Sequence, residues 1–249
     1  MPQDMHRILV DTETLSRSAP QLSEQARRHL KVVRPKEGEA VELFDGRGRW
    51  RVCEFRRGAL EAVGEICEDA RREGRPDLVL FACVTKGSRW DWTIEKSVEL
   101  GVTRIVPVIS DRTIVRIPAV EREAKRERWM RIAEDAARQS DAKWLPEVMA
   151  PVDFKEAAQL AAKCDCYVGA LTKPEPRDAL SAIEAGAAAR AGRPLAVFVG
   201  PEGDFTPEEL AALLAVATPV SFGRTILRAE TAAIYGVGVL KAWMDAHEV

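Results

Sequence analysis

The chain carries Gly200-Pro201-Glu202-Gly203-Asp204-Phe205 and, near its end, Phe222-Gly223-Arg224-Thr225-Ile226-Leu227-Arg228-Ala229-Glu230-Thr231. Each stretch follows a short apolar run and precedes a helical pattern, which is typical of a strand-to-helix turn in an α/β sheet. We expect the two turns to lie side by side at the sheet edge where ligands bind. The acidic Glu202, Asp204 and Glu230 disfavour a phosphate. The turns therefore predict a ligand that is cationic or rich in hydroxyls and amides.

The first turn leads into a helix whose start is well defined. Thr206-Pro207-Glu208-Glu209 has a capping threonine, proline at the first helical position and glutamate at the third, which together form a capping box. Gly200 and Gly203 permit close approaches that a side chain would block. A purely structural connection explains the proline and glycines. The acidic Glu202 and Asp204 either interact favourably with the positive end of the helix dipole or contact a ligand.

Strand and helix patterns alternate over the rest of the chain after residue 76, which predicts an α/β domain with a parallel sheet. The predicted strands are residues 78–84, 104–109, 166–171, 195–199 and 219–222. The predicted helices are residues 92–100, 120–139, 154–162, 179–191, 207–216 and 231–246.

The first part of the chain is predicted to be a smaller, β-rich domain. Apolar runs at residues 7–10, 40–44 and 50–55 predict short strands. Asp45-Gly46-Arg47-Gly48 predicts a hairpin turn between the last two, because Asp-Gly tolerates positive φ. The charged residues 71–76 predict a linker. We therefore expect domains at residues 1–72 and 77–249.

Composition limits the possible classes of protein. With 249 residues, of which 46% are hydrophobic, the chain can bury a full core, and no apolar run is long enough to span a bilayer. Residues 1–10 are too polar for a signal peptide, so we expect a cytoplasmic protein. The five cysteines fall mostly in apolar runs, which favours buried thiols. Only three histidines are present, and we expect no metal site.

Charge and glycine spacing narrow the choice of ligand. The formal net charge of −2 does not indicate a generic nucleic-acid binder, but residues 27–57 are locally basic. Such a face is the footprint of a directed RNA or DNA contact, and it is equally consistent with a solvated β surface. No complete G-x-G-x-x-G and no Walker lysine occurs, which removes the commonest nucleotide-binding motifs. Arg228 and Glu230 form either a surface ion pair or a pair that holds a base edge.

These residues together resemble a known family. The two turns, the second as Gly223 with Ile226-Leu227-Arg228-Ala229-Glu230-Thr231-Ala232, are similar to the signature of bacterial 16S ribosomal RNA uracil-N3-methyltransferases of the SPOUT superfamily. The resemblance covers nearly the whole chain. The family's N-terminal PUA-like barrel is matched by His6-Arg7, His29-Leu30, Val33-Arg34, Gly38-Glu39 and Leu43-Phe44-Asp45-Gly46. The start of its catalytic domain is matched by Lys86-Gly87, Lys96, Glu99-Leu100-Gly101-Val102, Pro107 and Arg112.

The resemblance implies a fold, a cofactor and partners. It implies an α/β SPOUT domain with a deep trefoil knot after a small PUA-like barrel, acting as a homodimer on 16S ribosomal RNA or the 30S subunit. The cofactor is S-adenosylmethionine, a cation that suits acidic turns. The implied cofactor positions are Leu171, Thr172, Val199, Gly200, Pro201, Glu202, Gly203, Phe222, Gly223, Ile226, Leu227 and Arg228. The implied RNA contacts are Arg7, Arg27, Arg34, Lys86, Lys96 and Arg112.

The implied chemistry is methyl transfer to uracil N3, which needs no metal. The site must remove the N3 proton or stabilise negative charge on the carbonyl oxygens. We assign the stabilising role to Arg228, with Glu230 or Glu202 orienting it or the base. Two alternatives stay open: a SPOUT ribose 2′-O-methyltransferase, and a non-catalytic RNA-binding or ribosome-assembly factor.

The chain departs from the family pattern at three places. Arg138-Gln139-Ser140-Asp141-Ala142 stands where the family has Glu-Gln-Ser/Cys-Gly-Arg. Asp204 replaces a usual glycine, and Arg224-Thr225 replaces a usual Pro-Arg. The fold should tolerate these changes, which bear on RNA and dimer contacts.

Overall fold

The computed structural model describes residues 5–69, 75–172, 174–186 and 192–247. These residues form eight α-helices and two β-sheets. The chain divides into two compact units, one comprising Met1–Glu73 with Ala137–Leu145 and the other Gly74–Ala136 with Pro146–Val249. The predicted division into residues 1–72 and 77–249 did not assign Ala137–Leu145 to the first unit. Most of the predicted linker at residues 71–76 lies outside the described residues.

The first unit contains a five-stranded sheet. Its elements are β1 (His6–Leu9), α1 (Thr12–Ser16), α2 (Glu24–Val33), β2 (Ala40–Phe44), β3 (Arg49–Arg56), β4 (Ala59–Ala62) and β5 (Cys67–Glu68). The strand order is β1-β2-β3-β4, and β5 also pairs with β3. β2 and β3 form the predicted hairpin, in which Asp45 Oδ1 accepts hydrogen bonds from the backbone of Arg47 at 2.8 Å and Arg49 at 3.1 Å. The hairpin prediction is confirmed.

The two helices of this unit were not predicted, although both have ordinary capping residues. Asp11 Oδ1 accepts from the backbone N–H of Thr14 at 2.7 Å, and Ser23 Oγ accepts from that of Ala26 at 3.2 Å. Such caps favour a helix start. α1 is too short, at five residues, to show a helical period. α2 does carry an apolar stripe at Ala26, Leu30 and Val33 on an otherwise polar helix, and sequence reasoning missed it.

A buried ion network joins residues 137–145 to the sheet of the first unit. Arg7 Nε donates to Glu42 Oε1 at 2.8 Å, and Lys143 Nζ donates to the two oxygens of Glu42 at 2.7 and 2.8 Å. Arg7 also donates to the carbonyls of Ala137 at 2.7 Å and Ala142 at 3.0 Å. Only 9% of Arg7, 5% of Glu42 and 8% of Lys143 is exposed. The charges are therefore largely desolvated and depend on one another.

Asp141 explains how the chain tolerates its departure from the family pattern. Its φ is 58°, the left-handed region that favours the glycine usual at this position. Aspartate adopts this region more readily than most residues. Its carboxylate lies 2.7 Å from Lys143 Nζ and 3.3 Å from Arg7 Nε. The negative charge that Asp141 adds is therefore paired with Lys143 and Arg7 inside the first unit.

The second unit contains a seven-stranded sheet in the order β12-β10-β11-β6-β7-β8, with β9 also paired to β7. Its strands are β6 (Leu78–Cys83), β7 (Arg104–Ile109), β8 (Glu147–Val148), β9 (Val152–Asp153), β10 (Asp165–Gly169), β11 (Leu195–Val199) and β12 (Thr218–Val220). Its helices are α3 (Ser88–Glu99), α4 (Arg122–Gln139, whose last three residues group with the first unit), α5 (Phe154–Ala161), α6 (Ala179–Gly186), α7 (Pro207–Leu214) and α8 (Ala229–Ala246). All strand pairs in this sheet are parallel, as predicted.

Alternate residues of β11 show how the two faces of the sheet are covered. The ring of Phe198 stacks on Phe81 with centroids 5.3 Å apart and meets Phe205 edge-on at 5.7 Å. The next side chain, Val197, points to the opposite face. There it lies against Gly236 of α8, where an added Cβ would be only 2.7 Å from Val197 Cγ2. The absence of a side chain at Gly236 therefore lets α8 approach the sheet closely.

Predicted and observed elements of the second unit differ mainly at their ends. α3 begins four residues earlier than predicted and α8 two residues earlier. β8 and β9 were not predicted, since two-residue strands carry no periodicity. Residues 187–191 of the predicted helix 179–191 lie outside the described part of the chain.

The cysteines are free thiols. Cys53, Cys83, Cys164 and Cys166 are buried, as predicted, whereas Cys67 is exposed in β5. Burial raises the pKa of the Cys53 thiol to about 11 and that of Cys83 to about 12. Within the described ranges, none of the helices combines the length and apolar character needed to cross a bilayer.

Candidate active site

Three loops meet at the carboxyl edge of the second sheet. β10 lies between β12 and β11 and is parallel to both, so the three strands end at the same edge. The loops that follow are residues 170–172, 200–203 and 221–227. The two glycine-anchored turns therefore share one edge but are not direct neighbours, because the Leu171-Thr172 loop after β10 lies between their strands.

The loops that follow β10 and β12 expose large apolar side chains. Leu171 is 74% exposed and Ile226 is 84% exposed. Exposed apolar side chains close to a sheet edge mark a surface that a ligand can cover. In contrast, Val199 and Pro201 are buried, and Thr172 Oγ1 donates to the carbonyl of Pro174 at 3.2 Å.

Phe222 positions the third loop. Its ring meets Tyr235 edge-on with centroids 5.6 Å apart. A Cβ added at Gly169 would lie 2.4 Å from Phe222 Cε2, so glycine is required at the end of β10 for the ring to fit. Gly223 then takes a φ of 111°, which redirects the chain toward Ile226 and Leu227.

The first turn is held by side chains from elsewhere in the same unit. Arg112 Nη1 donates to the carbonyls of Gly203 at 3.0 Å and Phe205 at 3.2 Å. Arg89 forms an ion pair with Glu202 at 3.2 Å. Asp204 has a φ of 60°, again in the region favourable to the glycine usual at this position. Arg112 therefore shapes the turn.

The predicted capping box after this turn is confirmed. Thr206 Oγ1 accepts from the backbone N–H of Glu209 at 3.2 Å, and Glu209 Oε2 accepts from that of Thr206 at 3.0 Å. The other oxygen of Glu209 accepts from the backbone N–H of Asp111 at 2.9 Å. The start of α7 is thus tied to the segment after β7.

A polar cleft of about 660 Å³ lies between α3 and the start of α8. Its volume is within the ~300–1,000 Å³ usual for ligand sites. Its lining residues are Ser88, Arg89, Asp91, Trp92, Glu95, Arg228, Glu230 and Thr231. Arg228 is exposed, whereas Glu230 is only 6% exposed and its Oε2 has no hydrogen-bond partner among the described residues. The pair is thus not a simple surface ion pair.

Comparison with known proteins identifies the family. The RNA methyltransferase domain family matches residues 72–241, and the RNA methyltransferase PUA domain family matches residues 22–63. Ribosomal RNA small subunit methyltransferase E of Bacillus subtilis is 29% identical over 95% of this chain and 96% of its own length. The protein of the same name from Mycobacterium tuberculosis is 32% identical over 87% of this chain and 84% of its own length.

The chain is a member of the ribosomal RNA small subunit methyltransferase E family. A methyltransferase from Legionella pneumophila solved with bound SAM has a TM-score of 0.79 and 26% identity, covering 96% of this chain and 98% of its own. The small subunit methyltransferase E of Neisseria gonorrhoeae bound to S-adenosyl methionine has a TM-score of 0.78 and 26% identity, covering 96% of this chain and 98% of its own. The predicted α/β fold with a PUA-like N-terminal domain is confirmed. The trefoil knot stays a prediction.

The predicted RNA contacts of this methyltransferase have different surroundings. Arg27 on α2, Arg34 at the C-terminal cap of that helix and Lys86 after β6 are exposed. Lys96 lies 2.8 Å from both Glu95 and Glu99, and those contacts raise its pKa. Its charge is therefore already balanced.

The prediction of an RNA contact at Arg7 is wrong. The guanidinium is buried, bonds to Glu42 and to backbone carbonyls, and lies 4.4 Å from the centroid of the Phe44 ring. A phosphate could bind there only if this network were broken. Sequence reasoning took Arg7 for a surface residue because a single arginine beside a strand gives no sign of its burial.

Sequence reasoning also missed Trp92. α3 carries two tryptophans, of which Trp90 is 2% exposed and packs edge-on against Trp129, whereas Trp92 is 43% exposed and faces the cleft. The predicted helix began at residue 92, so the face of the helix on which Trp92 lies relative to Trp90 was not considered. Had the helix been started at Ser88, residues Trp90 and Trp92 would have been placed on different faces.

Proposed function

We propose that this protein transfers a methyl group from S-adenosylmethionine to N3 of a specific uridine in 16S ribosomal RNA of the small subunit. The observation that carries the proposal is the meeting of the three loops at one sheet edge beside the cleft that holds Arg228 and Glu230. Membership of the small subunit methyltransferase E family supports both the cofactor and the RNA target.

The residues of the three loops fit S-adenosylmethionine. The exposed Leu171 and Ile226 offer apolar surface to an adenine ring. Glu202 is paired with Arg89 but still exposed, and it offers its remaining carboxylate surface to a cationic ligand. The loop backbones offer hydrogen-bonding groups to ribose hydroxyls and to the adenine edge. When bound, S-adenosylmethionine supplies an activated methyl group. Of the twelve positions implied by the family resemblance, those exposed in the three loops would contact it, namely Leu171, Glu202, Gly203, Gly223 and Ile226, whereas Arg228 is assigned to the chemistry.

Arg228 is assigned to the chemistry. Uracil N3 becomes electron-rich as its proton leaves, and negative charge spreads onto the two flanking carbonyl oxygens. An exposed guanidinium at the entrance to α8 can donate hydrogen bonds to such an oxygen. Holding N3 in line with the methyl carbon supplies a further part of the rate.

The RNA is held by exposed basic side chains and presents its target base unpaired. Arg27 on α2 of the PUA-like unit and Arg34 at the C-terminal cap of that helix contact phosphates, and such contacts set register without reading sequence. A base in folded RNA must be splayed out before its N3 can reach the site. The protein acts in the cytoplasm as a homodimer.

The decisive test is methyl transfer from labelled S-adenosylmethionine to assembled small subunits and to naked 16S RNA. We expect label in N3-methyluridine, identified by mass spectrometry of the nucleosides. Label on a ribose 2′-oxygen would identify a ribose methyltransferase instead. No transfer, together with no saturable cofactor binding in calorimetry, would identify a non-catalytic RNA-binding factor.

Replacing Gly169 with alanine should weaken S-adenosylmethionine binding. The added Cβ would lie 2.4 Å from the Phe222 ring and displace the loop that follows β12. Overpacking of this kind costs about 1–3 kcal/mol, so we expect an affinity about 5- to 100-fold lower by calorimetry. Gly238→Ala is the control, because its Cβ would meet only Leu100 Cδ1 at 3.9 Å. Equal affinities for the two variants would contradict the assignment of this loop.

A further inference from the structure

The cleft between α3 and α8 contains an acceptor that the protein leaves unused. Only 6% of Glu230 is exposed, and its Oε2 has no hydrogen-bond partner in the part of the chain that the structure describes. A buried polar atom left without a hydrogen bond costs about 1–3 kcal/mol, more if it is charged. Glu230 is among the residues that line the cleft, so a rotation of its side chain would turn this unsatisfied oxygen toward a donor that arrives with a ligand.

The other acidic side chains lining the cleft already have partners. Asp91 accepts from Arg128 Nη1 at 2.8 Å, and Glu95 lies 2.8 Å from Lys96 Nζ. The Arg89 guanidinium, also on this wall, is paired with Glu202. Glu230 therefore stands apart among the carboxylates of the cleft, because it combines burial with an unsatisfied oxygen.

Trp92 provides a second observation that points to the type of ligand. A tryptophan that is 43% exposed within a polar cleft presents a flat apolar face to whatever enters. Stacking on such a face is the common way in which proteins hold an unpaired base. The cleft thus combines a stacking surface, a hydrogen-bond acceptor and the Arg228 guanidinium.

We propose that this cleft binds the target uracil, with its ring stacked on Trp92 and its N3–H donating to Glu230, which is the proton acceptor of the reaction. The inference rests on the proposed function and deepens it. N3 gains the methyl carbon, whose bond to sulfur breaks with the electron pair left on sulfur, and the N3 proton passes to the carboxylate of Glu230. Solvent removes that proton after the product leaves.

Glu230→Gln tests the acceptor role, because it keeps the shape of the side chain and removes its basicity. We expect kcat to fall about 10²–10⁴-fold at neutral pH, the usual effect of losing a general base. The deficit should shrink as pH rises toward the range in which free uracil loses its N3 proton. Calorimetry should show S-adenosylmethionine affinity within about threefold of wild type.

The matched control is Glu208→Gln. Glu208 occupies the second position of α7, as Glu230 does in α8, but it is exposed and lies away from the cleft. Its replacement therefore reproduces any change in the helix dipole. An unchanged kcat in Glu230→Gln, or a deficit that is the same at every pH, would overturn the acceptor role.

Trp92→Ala and Trp92→Phe test the stacking surface by a measurement that needs no cofactor. The ligands are a 16S RNA fragment that carries the target uridine and the same fragment with an abasic nucleotide at that position. Wild type should prefer the uridine fragment by about 5- to 100-fold, as stacking of one base provides. Trp92→Phe should keep most of this preference and Trp92→Ala should lose it. Equal preference in wild type and Trp92→Ala would overturn the stacking role.

The outcomes separate this inference from the proposed function. Wild-type protein that methylates a ribose or nothing at all contradicts the proposed function itself. Wild-type protein that produces N3-methyluridine, while Glu230→Gln and Trp92→Ala behave like wild type, leaves that function intact and rejects only the assignment of the cleft.

Discussion

Replacing Arg228 with alanine lowers kcat for methyl transfer about 10²–10³-fold, the range found when one preorganised donor is removed from a site of developing charge. Affinity for S-adenosylmethionine stays within about threefold, because the loop backbones and the exposed Leu171 and Ile226 are retained. The fall in kcat follows from the position of Arg228 on the cleft, beside the buried Glu230. Single-turnover kinetics with small subunits and calorimetry with the cofactor measure the two effects separately.

Arg224→Ala is the control for this variant. Arg224 lies in the loop after β12 that leads to Arg228. It is exposed and does not line the cleft between α3 and α8. Arg224→Ala removes one positive charge, as Arg228→Ala does, so a general weakening of electrostatic attraction to RNA affects both variants alike. If Arg228→Ala loses cofactor affinity as strongly as it loses turnover, Arg228 belongs to the cofactor site rather than to the chemistry.

Replacing Glu42 with glutamine should destabilise the first unit by about 3–5 kcal/mol, the usual cost of leaving buried charges without their partner. The neutral amide no longer balances Arg7 and Lys143, which are 9% and 8% exposed. Urea unfolding is followed by tryptophan fluorescence, to which the first unit contributes Trp144 and Trp50, whose ring centroid lies 4.8 Å from Lys143 Nζ.

Glu61→Gln provides the comparison for Glu42→Gln. Glu61 is an exposed carboxylate in β4 of the same sheet, with Arg56 4.0 Å away. Its replacement should change the free energy of unfolding by less than about 1 kcal/mol, as for most surface ion pairs. A similar small effect for Glu42→Gln would show that water or a rearranged side chain replaces the buried carboxylate.

Local features of the sequence predicted much of the framework. Asp45-Gly46-Arg47-Gly48 forms a hairpin because the conformations that it needs are available to those residues themselves. The capping box at Thr206 likewise depends on atoms only three residues apart. The buried strands of the second sheet were found because parallel strands covered on both faces are apolar along their whole length.

Features that depend on distant residues were not predicted. Residues 137–145 group with the first unit because Lys143 and the backbone of Ala137 meet Glu42 and Arg7, which lie about a hundred residues or more earlier in the chain. No local pattern carries that information. The exposure of Trp92 was missed for a related reason, since it depends on where α3 begins and what covers it.

The sequence by itself determined the type of the main elements of the second unit, the family and the identities of the two turns, because these depend on neighbouring residues and on a specific set of motifs. Only the tertiary structure decided that Arg7 is a buried structural cation, that the loop after β10 lies between the two turns, and that Glu230 is buried with an unsatisfied oxygen. Burial and pairing arise from contacts between residues far apart in the chain. A charged side chain therefore reveals its role only when the groups that surround it are known.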